Sequence, residues 1–146
     1  MTQRNRIEVM HGVNLDQLGR RPAAHYGELT LDRLEDRISG YARELELRVR
    51  FFQTNAEGEY VEHLHRLEGM SDAIVVNPGA WTHYAWAIRD ALEISGLPAV
   101  EVHLSDIKHR EPFRAVSVLE DVCVASVTGQ GVDGYRTALE RLKAAL

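Results

Sequence analysis

The sequence predicts an α/β protein built on a parallel sheet. Three observations carry this: five short apolar runs recur along the chain, apolar positions at helical spacing fall between them, and no repeat or composition break marks a linker. Residues 1–146 are therefore expected to form one domain.

The elements follow in order. Ile7-Glu8-Val9-Met10 is the first apolar run and reads as a buried strand. Leu31, Leu34, Ile38, Ala42 and Leu45 recur every three to four residues, with Thr30 placed to cap the helix they form. Val49-Arg50-Phe51-Phe52 is the second strand, and Val61, Leu64 and Leu67 make the next helical stripe. Ala73-Ile74-Val75-Val76 is the third strand; Ala85, Ile88 and Leu92 follow it as a helix beginning after Thr82. Ala99-Val100-Glu101-Val102 and Val122-Cys123-Val124-Ala125 supply the last two strands, and Tyr135, Leu139 and Leu142 the last helix. Strand and helix in alternation imply parallel strands joined by right-handed crossovers. Five strands with four helices give a three-layer, flavodoxin-like fold with a five-stranded parallel sheet.

Composition narrows the function. Of 146 residues, 45% are hydrophobic and 27% charged, the mix of an ordinary globule with enough chain to bury a core. A formal net charge of -5 argues against nucleic acid or an anionic membrane as partner, so an anionic ligand requires a local cluster of arginines. One cysteine, Cys123, excludes an internal disulfide and suits a reducing compartment. No apolar run approaches the ~18 residues of a membrane span, and Met1-Thr2-Gln3-Arg4-Asn5-Arg6 leads into no signal-peptide core. The expected location is the cytoplasm.

In open parallel sheets, ligands bind beyond the carboxyl ends of the strands. Three polar, glycine-bearing segments fall there. The first runs from His11-Gly12-Val13-Asn14 to His25-Tyr26-Gly27, and its stretch from Gly12 to Glu28 has 17 residues where a connection usually has ~2–6. A guanidinium beside a phenol favours the phenolate, so Arg21 and Tyr26 can form a base. Solvated arginines and a tyrosine that anchors the loop by packing fit the same residues. The second segment, Asn77-Pro78-Gly79-Ala80-Trp81-Thr82-His83, offers an amide, a histidine and backbone N–H groups to a polar ligand, or is a plain loop capped by Thr82. Asp90 follows one to two turns later and by itself is a surface carboxylate. In the third, Glu101 and His103 share one strand face, so the carboxylate can orient and charge the imidazole for work as an acid. Arg110 and Arg114 beyond it can clamp a hydroxyl or carboxylate.

Other chemistries lack their residues. His63 and His65 point to different faces of their helix, and neither H-E-x-x-H nor a cysteine cluster is present, so no metal is expected. G-x-G-x-x-G, G-x-x-x-x-G-K-[ST] and G-x-S-x-G are all missing. Gly129-Gln130-Gly131 reads as a tight turn.

Together the three segments resemble the type II dehydroquinases, or 3-dehydroquinate dehydratases. The family pattern N-G-P-N-L-x-x-L-G-x-R-x-P-x-x-Y-G matches His11 to Gly27. N-P-G-A-x-T-H-x-S-x-A-L-R-D-A matches Asn77 to Ala91, and E-V-H-L-S-N-x-x-x-R-E-x-F-R matches Glu101 to Arg114. A weaker match covers Gly131 to Leu139. The resemblance implies anti elimination of water from 3-dehydroquinate through an enolate, with no cofactor. Tyr26, made basic by Arg21, would take the proton alpha to the ketone, and Asn14 would place a water against the enolate. His103, oriented by Glu101, would protonate the departing hydroxyl. Asn77, Ser105 and the backbone amides of Leu104 and Ser105 would hold the carboxylate. His83 and Arg114 would grip ring hydroxyls, and Asp90 would reach in from a neighbouring subunit, the trimers being arranged as a dodecamer. Such an enzyme serves the shikimate pathway of aromatic amino acid biosynthesis or, by the same chemistry, quinate breakdown.

The chain departs from the pattern at several places. His11 and Val13 flank Gly12 where asparagine and proline are usual, Pro22 arrives one position early, and Asp106 replaces an asparagine. Trp81 and Tyr84-Ala85-Trp86 add aromatic bulk. These leave a second reading open, a dehydroquinase-like protein that acts on or binds a related polyhydroxylated cyclic carboxylic acid. A third, a flavin-binding or signalling module of the same fold, is disfavoured because signalling receivers gather acidic residues after the first strand, where this chain has His11 and Gly12.

Overall fold

The computed structural model describes residues 3–20, 22–26 and 28–146, with the backbone alone for His25 and Tyr26. Strands β1 (Arg6–His11), β2 (Arg48–Gln53), β3 (Ala73–Asn77), β4 (Ala99–His103) and β5 (Ala125–Thr128) form one sheet. Its order is β2-β1-β3-β4-β5, with every pairing parallel. Helices α2 (Leu31–Glu44) and α5 (Asp133–Ala145) cover one face, and α3 (Glu57–His65) and α4 (Trp86–Ser95) the other. A short α1 (Ala23–Tyr26) lies inside the long first connection. This is the three-layer architecture that the apolar periodicity predicts.

Alternation along β1 shows how the two cores are filled. Ile7 and Val9 pack with Leu34, Ile38, Leu139 and Leu142 on the α2/α5 side, while Met10 packs with Tyr60, Leu64 and Ile88 on the α3/α4 side. All residues of β3 and β4 are buried, as expected of central strands covered on both faces. Glu8 shares the α3 face, and this buried carboxylate is satisfied by Arg50, by Ser71 at 3.2 Å and by His63 Nε2 at 2.7 Å. Thr30 caps α2 as expected, its hydroxyl accepting from the Arg33 N–H at 3.4 Å.

Two expectations need correction. The fifth strand starts at Ala125, three residues later than the apolar run suggests, because Glu120–Val122 coil into a 3-10 turn and leave Cys123 half-buried outside the sheet. Likewise, Thr82 does not cap the fourth helix. It lies in a 3-10 turn, Gly79–His83, and α4 begins at Trp86 without a side-chain cap.

Two glycines set the geometry beyond the strand ends. A Cβ on Gly12 would lie 2.4 Å from the Pro78 carbonyl oxygen. Gly79, at φ +65°, would place a Cβ 2.6 Å from the Val13 carbonyl oxygen. The loops after β1 and β3 therefore touch backbone to backbone, joined by a Gly12 N–H to Asn77 C=O bond of 2.8 Å. This contact lies over the β1/β3 boundary, where the chain reverses direction across the sheet and parallel α/β folds open a binding crevice.

Candidate active site

Glu101 and His103 sit at the end of β4, both buried, and alternation turns them to the same side. His103 Nε2 is 2.6 Å from Glu101 Oε2. The carboxylate also accepts from the Thr82 hydroxyl and from Ser117 Oγ, the latter at 2.8 and 2.9 Å to its two oxygens. Burial alone would raise the Glu101 carboxyl. The His103 hydrogen bond and charge, with the two hydroxyls, outweigh burial and hold it below the usual carboxylate range. Glu101 is thus a buried anion facing an imidazole.

His103 opens onto a cavity of about 140 Å³ beyond the carboxyl ends of β1, β3 and β4. Of the residues that the sequence singles out, Asn14, Asn77, His83, Leu104, Ser105, Arg110 and Arg114 line it as well. Asn77 Nδ2 donates to the buried Tyr135 hydroxyl at 3.0 Å, and Asn77 Oδ1 accepts the Gly79 N–H at 3.2 Å, so its amide is oriented from both ends. His83 Nδ1 is 2.8 Å from the Val116 carbonyl. A carbonyl only accepts, so Nδ1 carries the proton and Nε2 is an acceptor. Burial, with the nearby His103 and Arg114 charges, lowers the His83 pKa and favours this neutral form. Arg110 donates to Ser105 Oγ at 3.3 Å, and Arg114 pairs with Glu111. Asn14 holds a left-handed conformation, φ 69°, with its N–H on Asn55 Oδ1 at 2.8 Å.

Charge distribution is the telling property. Two arginines and two histidines line the cavity, and among its described lining residues none is acidic. Asp106, a replacement that would repel an anion if it faced inward, is turned away and pairs with His109. The cavity therefore reverses the sign of a chain whose net charge is -5.

Other candidates stand apart. Asp90 is exposed on α4 and does not line this cavity. The side chains of Arg21 and Tyr26, and with them the expected guanidinium–phenol pair, lie outside the described residues. Sequence reasoning missed Thr82 and Ser117 as partners of Glu101, and Tyr135 as the partner of Asn77. A hydroxyl on a loop gives no signal by itself, and Tyr135 looked like helix core.

The family model described as dehydroquinase class II matches residues 5–143. The chain belongs to the class II dehydroquinases. Among curated relatives of this dehydroquinase, the 3-dehydroquinate dehydratase of Pelobacter propionicus is 46% identical, over 92% of this chain and 91% of the relative. That of Thermotoga petrophila is also 46% identical, over 94% of each chain. Among solved structures, the type II dehydroquinase of Butyrivibrio crossotus superposes with a TM-score of 0.91 at 39% identity, over 94% of this dehydroquinase and 97% of that chain. A 3-dehydroquinate dehydratase-like protein from Bifidobacterium longum is more distant, with a TM-score of 0.70 at 28% identity and 96% of each chain covered.

Proposed function

We propose that this class II dehydroquinase converts 3-dehydroquinate to 3-dehydroshikimate by anti elimination. The observation that carries the reading is an anion-sized cationic cavity in which a carboxylate-backed imidazole, His103, faces Asn77, His83, Ser105 and Arg114. The curated relatives with that activity span more than nine-tenths of the chain.

In this mechanism Tyr26, kept as phenolate by Arg21, removes the proton alpha to the ketone. Electron density moves into an enolate, against which Asn14 holds a water. The carbon–oxygen bond then breaks as His103 gives its proton to the departing hydroxyl, which leaves as water while the enolate collapses to the ketone and its electron pair forms the new conjugated double bond. Asn77, Ser105 and the amides of Leu104 and Ser105 hold the substrate carboxylate. Neutral His83 accepts from one ring hydroxyl through Nε2, and Arg114 donates to another. No metal or organic cofactor takes part.

The working form is a set of trimers arranged as a dodecamer, in the cytoplasm. Tyr84, Trp86, Ile94, Phe113 and Val116 are exposed large hydrophobic residues on α4 and the segments beside the cavity, and Asp90 is exposed on the same helix. An apolar surface of this kind suits burial against a second copy, which supports the reading in which Asp90 enters a neighbour's site. No helix among the described residues is long and apolar enough to cross a membrane.

The test is direct. Purified protein given 3-dehydroquinate should produce the ultraviolet absorbance of the conjugated product. A folded preparation that gives no rise with 3-dehydroquinate, yet binds or turns over another polyhydroxylated cyclic acid, would replace this substrate by that one.

A further inference from the structure

We propose that Ser117 is a positioning residue for the acid, its hydroxyl fixing the buried Glu101 carboxylate in the orientation that His103 needs. The inference rests on the reading of His103 as the proton donor.

The geometry leaves the Ser117 hydroxyl little choice. Its oxygen accepts the backbone N–H of Leu119 at 3.1 Å and of Glu120 at 3.2 Å. With its acceptor sites so engaged, its only proton points at Glu101, 2.8 Å from Oε1 and 2.9 Å from Oε2. Thr82 Oγ1 lies 3.0 Å from Ser117 Oγ and directs its own proton to Oε2. Glu101 thus receives three hydrogens, from Thr82, Ser117 and His103 Nε2, at a site with no exposure. With His103 in the doubly protonated form that an acid requires, a protonated Glu101 would bring a hydrogen that finds no acceptor among these three donors. The arrangement selects the ionised carboxylate, fixes the proton of the His103–Glu101 bond on Nε2, and leaves Nδ1 for the substrate.

The other ionisable neighbours of Glu101 do not supply this anchorage. The Cys123 thiol is pushed up to about 12 by burial and by the Glu101 charge, and buried Tyr60 is raised well above its ordinary value, so both stay neutral. Ser117 also belongs to the segment after Arg114, whose Val116 carbonyl sets the tautomer of His83. One hydroxyl therefore ties the acid to the segment that carries Arg114 and orients His83 of the binding cavity.

The experiment compares Ser117→Ala, Ser117→Thr and His103→Ala with the wild-type enzyme. Each is assayed for kcat and KM, and the Glu101 carboxyl is titrated by carbon-13 NMR, its signal assigned by loss in Glu101→Gln. Ser117→Ala is expected to lower kcat on the order of tenfold, the effect of removing one hydrogen bond to a charged group, with KM little changed. The Glu101 carboxyl should titrate at higher pH in that variant, having lost a donor to its ionised form. Ser117→Thr, which keeps the hydroxyl, should restore both properties. A Ser117→Ala enzyme with wild-type kcat and an unmoved Glu101 titration would overturn the proposal. So would a loss of activity carried by KM with that titration unmoved, since that pattern marks loop packing. Retained activity in His103→Ala would instead remove the reading of the acid on which the inference rests.

Discussion

On the proposed mechanism, a single imidazole has to be acidic toward a leaving hydroxyl and yet sit in a pocket that attracts anions. Glu101 resolves the conflict by placing a full negative charge behind His103, 2.6 Å from Nε2, while the cavity side stays cationic. His103→Ala is therefore expected to reduce kcat by at least ~100-fold, the lower range for loss of a general acid. Tyr26→Phe should fall by a similar factor, again ~100-fold or more, because the ring remains and only the ionisable oxygen is lost. Arg21→Ala should resemble Tyr26→Phe, since a phenol without a neighbouring cation returns toward its ordinary pKa of about 10 and is mostly protonated at neutral pH. Steady-state rates with 3-dehydroquinate check all three, and near-normal turnover in either of the last two would remove Tyr26 as the base. Because the proposed acid and base are both side chains, chelation should leave the rate untouched. Activity lost to EDTA and recovered with zinc would contradict that view.

At the scale of elements, the site depends on loops that approach more closely than side chains permit. Gly12 and Gly79 lie where the β1 and β3 loops meet, and in each case the atom a Cβ would strike is backbone, at 2.4 and 2.6 Å. Gly79 also needs its positive φ of +65°. Gly79→Ala should therefore lower stability by about 1–3 kcal/mol, from strain and enforced separation of the loops. Because the shift moves Asn77 and His83 relative to His103, it should also weaken substrate binding. Denaturant midpoints and KM measure the two effects, and an alanine variant with both unchanged would show that the loops can part without consequence. The same contact explains what the sequence revealed and what it hid. Strands and helices were legible because Ile7, Val9, Leu34, Ile38 and their like repeat at periods of two and 3.6 residues. Glu101 and His103 were legible as a pair because two residues along a strand share a face. Thr82 and Ser117 were not, since they meet Glu101 from separate loops across 19 and 16 residues, a separation that no local period encodes. Ahead of the late start of β5, Ser117 accepts the Leu119 and Glu120 N–H groups, and the 3-10 turn Glu120–Val122 that follows takes Val122 out of the strand.

Across the whole molecule, buried or clamped carboxylates lie at both ends of the sheet, and they set its tolerance of acid. At the amino end, Asp72 accepts the Arg6 backbone N–H at 2.9 Å and its guanidinium at 3.1 and 3.2 Å, joining the entry of β3 to the entry of β1. The Arg6 hydrogen bonds lower the Asp72 pKa below the ordinary range despite partial burial. At the carboxyl end, Glu101 is lowered by His103, Thr82 and Ser117 against the opposing effect of burial. In both cases the folded state binds the proton less readily than the unfolded chain, whose carboxylates titrate near ~4. Their stabilisation is thus complete above that value and is lost as pH falls through the lower, folded pKa values. Thermal unfolding should change little on going from neutral pH to about 5, then drop steeply below about 4. Asp72→Asn should lower the melting temperature at neutral pH and flatten the acid limb, because one group no longer releases its proton on folding. Melting curves recorded for both proteins from pH 7 down to about 3 decide the matter, the range being set by the carboxylate values. An acid limb equally steep in Asp72→Asn would show that the Arg6–Asp72 clamp does not hold the two strand entries together.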